Sequence, residues 1–106
     1  SWNRRAKPPE HSGMMGIQRH DNGERLEIRG DMTVDEVPGL LRAINHSDHI
    51  LHVDMAAVGR VDSSALTVLL ACSRSARGAT VTVHHAPPAL RALSDLYGLQ
   101  TLFRVV

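Results

Sequence analysis

From Gly16 to Val106, short stretches with the two-residue repeat of a strand alternate with longer ones at helical spacing, which restricts the chain to an α/β fold. Ile17 to His20 and Arg25 to Arg29 read as strands joined by the turn Asp21-Asn22-Gly23, a hairpin. Thr33-x-x-Glu36 has the form of a capping box, so a helix is expected from there to about Asn45, with Leu40, Leu41 and Ile44 on its apolar face. Pro38 and Gly39 should disturb its first turns. Ile50 to Met55 is short and apolar, with His52 and Asp54 on the face opposite Leu51 and Val53, and reads as a central strand. Leu66 to Arg77 carries Leu66, Leu69, Leu70 and Ser73 at helical spacing, ends on Arg74 and Arg77, and has Gly78 placed to cap it. Ala79 to Val83 alternates like a strand, and Pro87-Pro88 opens a helix bearing Leu90, Leu93, Leu96 and Tyr97 that Gly98 ends. Thr101 to Val106 closes the order β-β-α-β-α-β-α-β, without internal repeats.

At 106 residues the chain suits one domain of the usual size, roughly 100 to 150 residues. Apolar residues make up 42% and charged residues 22%, so the composition is that of a folding chain. The formal net charge of +1 supplies no field that would select nucleic acid or an anionic membrane. Cys72 is the only cysteine, which excludes an intrachain disulfide and a cysteine-based zinc site and suits a reducing cytoplasm. The longest apolar run, Ala65 to Cys72, falls far short of the about 20 residues a spanning helix needs, and no signal-peptide pattern is present. Residues 1–15, with Arg4, Arg5, Lys7, Pro8 and Pro9 and only Trp2 as a large apolar group before Met14, are expected to form a flexible arm, either an expression remnant or the tail of an upstream segment. The folded domain is then 16–106.

The segment from Met55 to Leu66 places Asp62, Ser63 and Ser64 between the central strand and the best-defined helix. A helix N-terminus presents free N–H groups and a partial positive charge, so these residues suit either a cap or a phosphate-bearing position. Val61-Asp62-Ser63-Ser64-Ala65-Leu66, entered from Val53-Asp54-Met55, resembles the signature loop of STAS domains, which include the anti-sigma-factor antagonists. The resemblance runs over about Gly16 to Val106 and takes in Gly30-Asp31 and Leu93-Ser-Asp-Leu-Tyr-Gly98-Leu99. It implies a single STAS-type α/β domain, a mixed sheet of about five strands with helices packed on it. It also implies that Ser63, directly after Asp62, would be the acceptor in a phosphoregulated member, and that Ser64 would not.

Arg60-Val61-Asp62 and Leu96-Tyr97 before Leu99 resemble the MlaB components of phospholipid-transport ABC systems, whereas antagonists usually carry glycine where this chain has Ala65. That resemblance implies a cytoplasmic, non-enzymatic subunit at the inner face of the membrane, touching the bilayer only through its transporter and docking on the ATPase through Ser63 and its helix. Arg60, Thr67 and Arg74 are the expected partner-binding residues, facing outward while Leu66, Leu69 and Leu70 face the core. In the alternative, an anti-sigma kinase phosphorylates Ser63. No cofactor is expected, since no G-x-x-x-x-G-K-[ST] or G-x-G-x-x-G pattern occurs. His46, His49, His52, His84 and His85 invite a metal reading, but their spacing runs through a helix end, a loop and a strand and need not converge. A Ser63, His84 and Asp54 triad lacks the G-x-S-x-G elbow such a nucleophile requires.

Overall fold

The computed structural model describes residues 16–45 and 48–106; the expected arm, 1–15, and His46 lie outside the described residues. Strand β1 (Ile17–His20) turns through a short 3-10 segment into β2 (Arg25–Met32), followed by α1 (Val37–Ala43), β3 (His52–Val61), α2 (Ala65–Ser75), β4 (Val81–His84), α3 (Pro88–Tyr97) and β5 (Phe103–Val105). The five strands lie in sequence order in one sheet, β1 antiparallel to β2 and every other pair parallel, with a helix in each parallel connection. The expected element order and mixed sheet are therefore what the chain adopts. The hairpin is possible because Asp21, Asn22 and Gly23 all take positive φ, at 57°, 58° and 89°, a conformation that Asn, Asp and Gly tolerate best.

Period-two alternation sends one residue set of the sheet into the core and the other to solvent. Leu26, Val53 and Val83 stand side by side across three strands, with Val81 and Phe103 paired one step along, and all five are buried. Leu40, Leu69 and Leu90, one from each helix, complete that core. Helix α2 packs against both α1 and α3, so it buries Ala65, Leu66, Val68, Leu69 and Cys72, and Leu70 is only half-buried. The opposite sheet face carries Arg25, Glu27, His52, Asp54, Thr82 and His84 and stays open.

Several local expectations need correction. The capping box does not form: α1 begins at Val37, no side chain caps it, and the Thr33 carbonyl instead accepts the Glu36 and Val37 amides at 2.9 and 3.0 Å. Pro38 sits in the first turn, where its missing N–H costs nothing. The helix stops at Ala43, whose carbonyl accepts a hydrogen bond from Arg19. The central strand is longer than Ile50 to Met55, because Ala57, Val58 and Val61 keep pairing with Arg29, Gly30 and Met32 across two irregularities in register. Helix α2 ends at Ser75, and Arg77 joins Gly78 in positive φ. Gly98 does end α3: at φ 64° it donates to Asp95, while Leu99 donates to Ser94, the paired bonds of a left-handed cap. Leu96 and Tyr97 are not core residues; they are 75% and 56% exposed. No described helix is long and apolar enough to cross a membrane.

Burial pushes the Cys72 thiol up to about 12, with the nearby Asp48 carboxylate adding to the shift. Because the thiolate is the nucleophile, Cys72 should resist a thiol-reactive disulfide dye at pH 8 in the native protein and react completely on denaturation. Rapid native labelling would show that the α2 core opens.

Candidate functional site

The loop between β3 and α2 is fixed by two aspartates that act reciprocally. Asp31, near the end of β2, accepts the Arg60 backbone N–H of β3 at 2.9 Å. Asp62, just after β3, accepts the Val34 backbone N–H at 3.0 Å, which ties it back to the segment following β2. Its other carboxylate oxygen accepts the Ser64 N–H at 2.8 Å, an Asx turn that leads into α2. A side chain at Gly59 would stand 2.6 Å from the Asp31 carboxylate, so only glycine leaves that carboxylate its place. Desolvation works against ionisation of Asp62, but the bonds from Ser64 and Val34 outweigh it and hold the carboxyl below its usual range.

The start of α2 is closed on itself. Ala65, Leu66 and Thr67 donate their backbone N–H groups to the carbonyls of Asp62, Ser63 and Ser64, at 3.0 to 3.1 Å, and the Thr67 hydroxyl donates to the Ser64 carbonyl at 2.7 Å. Ser63 is exposed, directly before the Ser64 cap position, and its hydroxyl has no hydrogen-bond partner among the described residues. Of the two roles the sequence allowed, capping is not taken up: no side-chain cap of α2 forms, and the Ser63 hydroxyl is left without a partner among the described residues.

Arg60 is exposed, its guanidinium 3.5 Å from Asp31. Ser63, Thr67 and Arg74 are all exposed and repeat at helical spacing, an outward stripe about 16 Å long at 1.5 Å per residue, while Leu70 packs against the core. Arg74 borders a groove between α1 and α2 lined by Leu41, Ile44 and Ala71. The structure thus brings Asp62, Ser63, Ser64 and Thr67 together and sets Arg60 and Arg74 at either end. Sequence reasoning missed Val34 and Gly59 as parts of the loop; the signal for Gly59 was a glycine inside an otherwise strand-like run, which marks a close approach.

The histidines gather elsewhere. On the open sheet face His52 Nδ1 lies 3.0 Å from His84 Nε2, His85 is 3.1 Å from Asp54, and His20 is 2.9 Å from Glu27. Among the described residues no three His, Cys, Asp or Glu side chains are placed to share a metal ion. Asp54 lies seven residues before Val61 along β3, a separation on the order of 20 Å in a strand, so Ser63, His84 and Asp54 do not form a triad.

Against known families, the sequence profile described as Mlab, STAS domain matches residues 15–105. No curated protein sequence matches the chain. Among solved structures, the anti-sigma factor antagonist SpoIIAA in its unphosphorylated form superposes with a TM-score of 0.54 at 15% identity, over 76% of this chain and 83% of that one.

A carboxyl held below its usual range stabilises the fold above about pH 4 and ceases to do so as pH falls through its folded-state value. Asp62→Asn should therefore lower the melting temperature at pH 7, and the gap to the parent should narrow as pH falls below about 4. A gap that stays constant over that range would remove the ionic role assigned to Asp62.

Proposed function

The chain belongs to the Mlab STAS-domain family, and from that membership we propose that it is a non-enzymatic subunit that docks on the cytoplasmic ATPase of a phospholipid-transport ABC system. The observation that carries the reading is the division of α2 into two faces. Its inner face, with Leu66 and Leu69, is locked in the core, while Ser63, Thr67 and Arg74 stand free along its outer face. A rigid helix presenting small and polar groups is suited to pressing against a flat partner, because little side-chain freedom is lost on contact. Arg60 and Arg74 add charge at the two ends of the stripe, where it steers and orients the encounter. The loop supports binding over catalysis: the N–H groups of Ser64 and Val34 hold the Asp62 carboxyl below its usual range, which makes it a weaker base for Ser63. The subunit binds one conformation of the ATPase more tightly and shifts its population accordingly.

A second reading draws on the same exposed hydroxyl and on the likeness to an anti-sigma factor antagonist. Here an anti-sigma kinase phosphorylates Ser63, and the roughly two added negative charges break the shared interface. The first amides of α2 are already bonded within the loop, so they would not neutralise the new phosphate.

Ser63→Asp combined with Thr67→Glu should leave the melting temperature within a degree or two of the parent and weaken capture of the ATPase subunit by at least about tenfold, as charge at a packed contact does. Unchanged capture would place the interface elsewhere. Capture of an anti-sigma kinase, with no effect on any ABC ATPase, would establish the second reading instead.

A further inference from the structure

Between α3 and the edge strand β5 lies a cleft of about 170 Å³ lined by Arg91, Ser94, Asp95, Gln100, Phe103 and Arg104. Three observations bear on what it could hold. Ser94 is only 2% exposed, yet its hydroxyl has no hydrogen-bond partner among the described residues, whereas the other buried serine, Ser75, donates to the Cys72 carbonyl at 2.8 Å. A buried hydroxyl left unpaired by the protein is disfavoured, and an acceptor seated in the cleft would satisfy it. Arg91 and Arg104 are exposed and, like Arg42, Arg74 and Arg77, form no ion pair among the described residues, so both guanidinium groups are available to a ligand. The one carboxylate in the lining, Asp95, accepts from the Gln100 amide at 3.3 Å, leaving two arginines against a single acidic group.

We infer that this cleft binds the phosphate group of a small phosphate monoester, Arg91 and Arg104 clamping its oxygens and Ser94 donating its hydroxyl from the floor. Guanidinium forks match phosphate oxygens in geometry as well as charge, and a monoester offers three terminal oxygens to the donors gathered here. Phe103, fully buried, forms an apolar wall that keeps water from that side. The cleft is smaller than the roughly 300 to 1,000 Å³ that encloses a drug-sized ligand, so the phosphate is enclosed and the ester group stays outside. The same chemistry serves a free metabolite or a lipid whose headgroup ends in a monoester, and it is independent of the docking face on α2.

The test is amide NMR of the full chain titrated with inorganic phosphate and with glycerol 3-phosphate at fixed ionic strength. Saturable shifts should appear at Ser94, Asp95, Gln100 and Arg104. The double variant Arg91→Gln, Arg104→Gln should lose about tenfold or more in affinity with an unchanged melting temperature. Ser94→Ala should also bind more weakly while melting at the same temperature or higher, an outcome that a merely structural serine would not give. Vesicles of phosphatidylcholine doped with phosphatidic acid separate the sources: pelleting of the chain that inorganic phosphate competes away identifies a lipid headgroup, and no pelleting identifies a soluble ester. The inference is overturned by the absence of saturable shifts up to about 50 mM phosphate, far weaker than a millimolar site, or by phosphate or vesicle binding that survives in the double variant.

Discussion

The exchange of hydrogen bonds between Asp31 and Arg60, and between Asp62 and Val34, is the constraint on which the rest of the site depends. Beyond Asp54, β3 no longer pairs with β4, so only β2 holds its last residues. A two-stranded ribbon is marginal alone, and this one is weakened further by Ala56, Ala57 and Gly59, which have low strand propensity. Each carboxylate reaches across to a backbone N–H on or beyond the opposite strand, and bonds of this charge-assisted kind are about twice as strong as neutral ones. They fix where β3 ends, and therefore where α2 begins and which way Ser63 points.

Helix α2 then presents two faces of different character. Its inner residues lie between α1 and α3, where a truncation such as Leu to Ala costs about 2 to 5 kcal/mol. Its outer residues contribute little to that core, so they are free to suit a partner. The open face of the sheet is managed differently. Arg25, Glu27, Asp54 and the histidines pair with one another there, each exposed contact worth at most about 1 kcal/mol. The pairs neutralise charge more than they stabilise. The edges are short, with β5 three residues long and β1 bearing Gln18 and Arg19, which discourages strand addition from another chain.

What the sequence made legible follows from which forces are local. The hairpin turn, Gly98 and the existence of all eight elements were readable because Asn, Gly and Pro impose their own backbone geometry and hydrophobic period survives in one dimension. The ends of β2 and β3 were not readable, since Gly30, Asp31 and residues 56–60 enter the sheet only through pairing and carboxylate bonds between distant segments. The Thr33 and Glu36 pattern was misleading for a related reason: Pro38 and the tether from Asp62 to Val34 set the start of α1 before a local cap could. At the site, the exposure of Ser63 was legible from its position before the helical repeat. That Asp62 would accept the N–H groups of Ser64 and Val34, which hold its carboxyl below the usual range, required the fold.

Ala65 bears on which of the two readings this loop favours. It is the first residue of α2 and is wholly buried, so its methyl group fills core volume that glycine would leave empty. Alanine in a helix is favoured over glycine by about 0.5 to 1 kcal/mol, chiefly because glycine has more freedom to lose. The junction after Ser63 is correspondingly stiffer than in a loop with glycine at this position, where the helix start can fray and reform. A switch driven by phosphate gains from a junction that yields when charge is added, whereas a permanent subunit gains from one that holds its contact surface ready before the partner arrives. With Asp62 bonded on both oxygens, the first-turn amides closed within the loop and Ala65 packed beneath them, the junction is held in one geometry, which is the property the proposed docking role would use.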